Sequence, residues 1–147
     1  MHKMNIDIAK IRDKTLRILK AGTNPSAKGP VENFTGSVRR DALITSEAPG
    51  RVSCGANTFE PGARTVWHTH PAGQILIVTA GRGWVQSWGG PREDMTPGDA
   101  VWIPADEKHW HGATATTRVV HIAITEAIDG TAVTWLEPVS DADYNNG

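Results

Sequence analysis

The 147-residue chain has room for one hydrophobic core, since two would each be unusually small. With 15 Lys+Arg against 16 Asp+Glu it carries a formal net charge of -1, which argues against a nucleic-acid partner, and no apolar run approaches the roughly 18 residues of a membrane span. The lone cysteine, Cys54, has no intramolecular disulfide partner, and MHKMNIDIAKIRDKTLRILK lacks the continuous apolar stretch of a secretion signal, so cytoplasmic residence is expected.

In chain order, residues 1–20 place Ile6, Ile8, Ile11, Leu16, Ile18 and Leu19 at spacings that fit neither a helix nor a strand throughout. Residues 21–30, AGTNPSAKGP, read as a loop. Beyond it the pattern predicts strands at Ser37–Arg40, Val52–Phe59, Thr65–His70, Gln74–Thr79, Gly83–Trp88, Ala100–Ile103, His109–Ala113 and Thr117–Ile124. Between them EPGA, HPAG, TAGRG, GGPRED, TPGD and PADEK supply the Gly, Pro and Asp of tight turns. Short strands so closely spaced predict an all-β antiparallel sandwich or barrel. Cys54 fits an ordinary strand residue, because nothing in RVSCGANTF would lower the pKa of its thiol.

Five of the six histidines lie between residues 68 and 121. Residues i and i+2 of a strand share a face, so WHTH projects His68 and His70 together and HWH projects His109 and His111 together, with Trp67 and Trp110 on the opposite sides. In VVHIAIT, His121 shares a face with Val119, Ala123 and Thr125. A lone buried histidine is ordinarily satisfied by hydrogen bonds. Gathered neutral imidazoles instead suit a divalent first-row metal, which offsets the cost of burying them. Gln74 follows His70 across the turn PAG, where it either opens a strand at the surface or folds its carbonyl oxygen back as a fourth ligand.

These residues resemble the cupin family. Gly62-x5-His68-x-His70-x3-Gln74-x6-Gly81 is similar to its first motif, and Gly98-x5-Pro104 followed by His109 to its second, sixteen residues later. The chain departs from the motifs at Gln74 (usually Glu), Asp106 (usually Gly) and Ala113 (usually Asn). The wordings GARTVWHTHPAGQILIVTAGRGW, GDAVWIPADEKHWHGA and VVHIAITE are similar to a narrower group, the manganese-dependent bacterial cupins with hydroxynitrile lyase activity, among small cupins named for carboxymuconolactone decarboxylase association. In that group the glutamine and the second histidine of H-W-H are part of the pattern. The similarity runs from about Lys28 to Tyr144, which divides the chain into an N-terminal extension, 1–27, and a jelly-roll barrel domain, 28–147.

The resemblance implies one divalent ion held by His68, His70, Gln74 and His109, with Mn²⁺ or Fe²⁺ favoured and Zn²⁺ or Ni²⁺ loading on purification. Because these ligands are uncharged, the ion would keep its full double positive charge. It also implies a small-molecule substrate of cyanohydrin type. His111 is then the candidate base, and His121 would hold or protonate the departing cyanide. Gly55, Asn57, Phe59 and Thr125 are expected to shape the pocket, with Leu76 and Val78 as ordinary core. Trp67, Trp84, Trp102 and Trp110 are expected to pack, Trp67 and Trp110 between sheets or subunits of a homodimer or homotetramer. Two other activities compete: a metal-dependent dioxygenase, and a cupin whose metal only stabilises the barrel.

Overall fold

Turns rich in Gly, Pro and Asp break the chain into antiparallel strands, and alternation along each strand gives its sheet an inner and an outer face. The computed structural model of the protein describes residues 16–147. Its strands are β1 (Ala27–Lys28), β2 (Phe34–Thr35), β3 (Val38–Thr45), β4 (Val52–Phe59), β5 (Arg64–Thr65), β6 (His68–Thr69), β7 (Gln74–Gly81), β8 (Gly83–Ser87), β9 (Arg92–Met95), β10 (Ala100–Ile103), β11 (His109–Ala113), β12 (Val119–Glu126) and β13 (Thr134–Trp135), followed by a short helix, Asp141–Asn145. One sheet runs β1-β3-β4-β12-β7-β10. The other runs β13-β6-β11-β5-β2, with β8 paired to β11 and β9 to β8. No helix among the described residues is long and apolar enough to cross a membrane.

The core between the sheets is built from inward residues including Phe34, Val38, Phe59, Leu76, Val78, Met95, Ile103 and Val119. Leu76 and Val78 are thus core, as expected. Register on the first sheet positions the site. Arg40, Asn57, His121 and Val78 form one cross-strand row, and Ala42, Gly55, Ala123 and Leu76 form the next. In a third row Thr125 stands between Ser53 and Gln74.

Three predicted strands, Val52–Phe59, Ala100–Ile103 and His109–Ala113, have the bounds of β4, β10 and β11. Predicted Thr65–His70 is divided into β5 and β6, because Trp67 exchanges backbone hydrogen bonds with Glu137 and Leu136 instead of continuing the ladder. The predicted turn GGPRED holds strand β9, whose Arg92 pairs with Gln86, so the turn proper is shorter. Ala27–Lys28, inside the predicted loop, pairs with Arg39 and Arg40 at the edge of β3. Just before it, Arg17 Nη2 donates to Thr45 O at 2.9 Å and Asn24 Nδ2 to Ala42 O at 3.0 Å, tying residues 17–24 along β3. Most of the segment left without an element, 1–20, lies outside the described residues.

Gly81, the last residue of the first motif, has φ +75°, and a Cβ there would stand 2.0 Å from Arg118 O. Only glycine fits. Asp106, standing where the second motif has Gly, keeps the turn with φ 61°, and its N–H donates to His70 O at 2.9 Å. Aspartate tolerates this left-handed conformation better than most residues.

The tryptophans divide. Trp67, Trp84 and Trp110 pack with Val139 and Tyr144 behind the histidine strands, under the C-terminal helix rather than between sheets. Trp102, expected to pack, is instead 61% exposed on the outer face of the first sheet, where its register partner is the outward Ile75.

Candidate metal centre

Pairing of β6 with β11 sets His68 directly opposite His109, and alternation then brings His111 to the same face. Ring centroids of His68 and His109 are 4.1 Å apart, those of His68 and His70 4.9 Å, and those of His70 and His109 5.4 Å. His68, His109 and His111 can bring ligand atoms within 4.8 Å of one another. His111, expected as a base, therefore lies in the same cluster as the expected ligands.

Backbone carbonyls settle which ring nitrogen faces inward. Nδ1 of His68 lies 2.9 Å from Val66 O, Nδ1 of His70 2.7 Å from Ala132 O, and Nδ1 of His109 2.9 Å from Glu107 O. A carbonyl only accepts, so each Nδ1 carries the proton and each Nε2 is a bare lone pair. Gln74 is fixed in the same way: its Nε2 donates to Thr125 Oγ1 at 3.1 Å, leaving Oε1 to face inward. His70 Nε2, His109 Nε2 and Gln74 Oε1 are all buried without a partner. Each such acceptor costs about 1–3 kcal/mol if nothing meets it, and a cation is the partner that meets several at once. The residues therefore fit a divalent ion with nitrogen and oxygen ligands.

Behind the cluster, His121 Nε2 and His111 Nδ1 are 3.1 Å apart. Phe59 packs against both rings, at centroid distances of 5.7 Å and 5.3 Å. Burial lowers the pKa of every one of these imidazoles: His68 and His111 well below the ordinary value, His70 less so, and His109 and His121 to about 4. Neighbouring imidazoles push His68 and His111 down further. All five are neutral at pH 7, as ligands and bases must be.

A cavity of about 490 Å³ opens beside the cluster, walled by His68, His70, Gln74 and His111 at its base and by Gly55, Asn57, Ala123 and Thr125 along the first sheet. Two expectations change here. Phe59 is fully buried behind the histidines and does not reach the cavity wall, because it ends β4 opposite Val119. His121 does not reach the wall either: it is fully buried and meets the cavity through His111. Phe34, Trp135 and Arg40 also line the cavity and were not singled out from the sequence. Phe34 and Trp135 sit on two-residue strands, too short for a period to be read, whereas the alternation of Val38, Arg40 and Ala42 could have placed Arg40. The Cys54 thiol is pushed up by burial, as an ordinary strand cysteine would be.

Residues 57–125 match the Cupin domain family. Over 129 residues the chain is 54% identical to an (R)-mandelonitrile lyase of Granulicella tundricola, covering 88% of this chain and 98% of that one. The chain belongs to the cupin family. A cupin-like protein of Thermotoga maritima superposes on this cupin with a TM-score of 0.78 at 39% identity, covering 89% of this chain and 96% of the other. The polyketide cyclase RemF of Streptomyces resistomycificus shares the fold alone, with a TM-score of 0.65 at 17% identity over 89% and 92% of the two chains. The two sheets are thus the halves of the jelly-roll barrel expected for this cupin, and the histidine cluster lies between them.

Proposed function

We propose that this cupin is a metal-dependent lyase of hydroxynitrile lyase type, cleaving or forming cyanohydrins of an aromatic aldehyde. The likeness to the mandelonitrile lyase supports the reaction class. The observation that carries the reading to named atoms is the His111–His121 pair, 3.1 Å apart and neutral, with His111 lining the same cavity as His70 and Gln74, whose acceptors are bare.

His68, His70 and His109 through Nε2 and Gln74 through Oε1 would hold the ion, proposed as Mn²⁺ or Fe²⁺ on the resemblance to the manganese-dependent cupins, with the same thiolate-free ligands open to Zn²⁺ and Ni²⁺. A bound divalent ion supplies Lewis acidity, lowering the pKa of a hydroxyl that coordinates it. His111 accepts the hydroxyl proton at Nε2, which is bare when Nδ1–H donates to His121 Nε2. His121 is then a positioning residue: it fixes the tautomer of His111 and stabilises the imidazolium that forms. As the carbon–cyanide bond breaks, the carbonyl forms and the departing cyanide takes the proton from His111, leaving aldehyde and hydrogen cyanide. Phe34 and Trp135 give the aryl group an aromatic wall.

The test is cyanide release from mandelonitrile by the manganese-loaded protein. Release is expected from the parent, with a loss of at least about 100-fold in His111→Ala while the metal content measured by elemental analysis is unchanged. Release at the parental rate by that variant would remove His111 as the base.

Self-association into a homodimer or homotetramer belongs to the same reading. On the outer face of the first sheet, Ile75, Ile77, Ile122, Ile124 and Trp102 form an uncharged surface across three adjacent strands, suited to a second copy of the chain. Sedimentation equilibrium is expected to show an oligomer that Trp102→Glu dissociates, and a monomeric parent would contradict it.

A further inference from the structure

Among the described residues Arg40 is the one Lys or Arg on the cavity wall, and its position is set by the strand. It stands between Val38, which is buried in the core, and Ala42, which lines the cavity, so parity turns its side chain to the cavity side of the sheet, where it stays exposed to solvent at the rim. Its register partner on β4 is Asn57, also on the wall. The guanidinium carbon lies 5.9 Å from the centroid of Phe34, over the ring that faces the cavity. Among the described residues no carboxylate lies within 4.0 Å of it. Among the described residues the one acidic residue that borders the cavity is Asp41, and its carboxylate is already engaged by the Ser26 hydroxyl and by Arg39 Nε.

An arginine at the rim of a largely neutral pocket, without a carboxylate of its own, is placed to receive an anion. The register also sets the backbone spacing between Arg40 and the histidines. Arg40, Asn57 and His121 occupy one row on three neighbouring strands, so Arg40 stands two strand spacings, roughly 10 Å between backbones, from the histidine that backs His111. A benzene ring with substituents at opposite ends bridges such a gap.

We infer that Arg40 is a specificity-determining residue, and that the cavity selects an aromatic substrate carrying a carboxylate at the end of the ring remote from the reacting carbon. The inference rests on the lyase reading for where the reacting carbon lies, but its test is a binding measurement that does not need turnover.

The probes are 4-(hydroxymethyl)benzoate and benzyl alcohol, which differ only in the carboxylate, titrated calorimetrically into manganese-loaded and metal-free protein. The parent is expected to bind the carboxylate about tenfold or more tightly than the alcohol in both forms, with a preference that shrinks as salt is raised. Arg40→Gln is expected to abolish the preference while keeping benzyl alcohol affinity within about twofold, and Arg40→Lys to retain part of it. Equal binding of the two probes by the parent, or an undiminished preference in Arg40→Gln, would overturn the inference. A carboxylate that coordinated the ion instead of meeting Arg40 would give the second result, with the preference confined to the metal-loaded form. Mandelonitrile is neutral, so its cleavage tests the lyase reading separately: a parent that showed the Arg40-dependent preference without releasing cyanide would sink that reading and leave the assignment of the anion site standing.

Discussion

Each bare acceptor of the cluster is aimed by a second bond on the far side of its own side chain. Carbonyls of Val66, Ala132 and Glu107 hold the three imidazoles, and the Thr125 hydroxyl holds the Gln74 amide. Partners of this kind typically change metal affinity by about 10–100-fold when removed. Thr125→Val is therefore expected to weaken Mn²⁺ binding by about tenfold, read by titration of the free-ion paramagnetic resonance signal, with Thr125→Ser restoring it; unchanged affinity in the valine variant would mean that the amide needs no such support. The HxH pairs were legible at this scale because strand parity alone brings alternate side chains together. The role of Thr125 was not: its oxygen meets Gln74, 51 residues away, only through the pairing of β12 with β7. Nor was the place of His121 behind His111, since a shared face does not say how deep in the barrel each strand lies.

The histidine strands depend on an element that the sequence did not announce. Ser140 caps the C-terminal helix by accepting from the Asp143 N–H at 3.1 Å. Tyr144 then donates its hydroxyl to Ala113 O at 2.6 Å, the last carbonyl of β11. Arg64 joins the two parts, bonding Val139 O at 2.8 Å and Asp141 at 2.7 Å with its guanidinium 4.4 Å from the Tyr144 ring. This clamp covers Trp110, whose neighbours in the strand are His109 and His111. Tyr144→Phe is expected to cost about 1–2 kcal/mol in chemical denaturation by leaving a buried carbonyl unmet, and Tyr144→Ala about 3–5 kcal/mol by opening a cavity beside Trp110. Equal stability of parent and Tyr144→Ala would show that the clamp is not holding the strand. Five residues are too few for a helical period to emerge, and β1, β2 and β13, of two residues each, are equally silent before folding. Strands such as β4, β7 and β10 were readable because Gly, Pro or Asp stands in the turns that bound them, whereas β3 was predicted only as Ser37–Arg40 and runs on to Thr45.

The whole barrel buries five imidazoles that would each take a proton near pH 6.5 in the unfolded chain and resist one in the folded chain. As pH falls from about 6.5 toward 4, the unfolded state binds protons that the folded state does not, so stability declines; above 6.5 both states are neutral and the effect is absent. For His109 and His121, whose folded pKa values are about 4, the loss approaches about 1.4 kcal/mol per pH unit for each group. Denaturation of the metal-free protein is thus expected to show a steep loss of stability across that window, and a flat profile would contradict neutral burial. Bound metal should oppose the loss, adding about 2.7 kcal/mol at pH 7 when its free concentration is 100 times its dissociation constant.

All of this turns on whether one ion sits where the bare acceptors converge. Anomalous diffraction from crystals grown with manganese measures it directly. The expected result is a single strong peak within bonding distance of His68, His70 and His109 Nε2 and Gln74 Oε1, with His111 close by but unbound. Absence of a peak, or an ion coordinated by His111 with His70 and Gln74 turned away, would contradict the account.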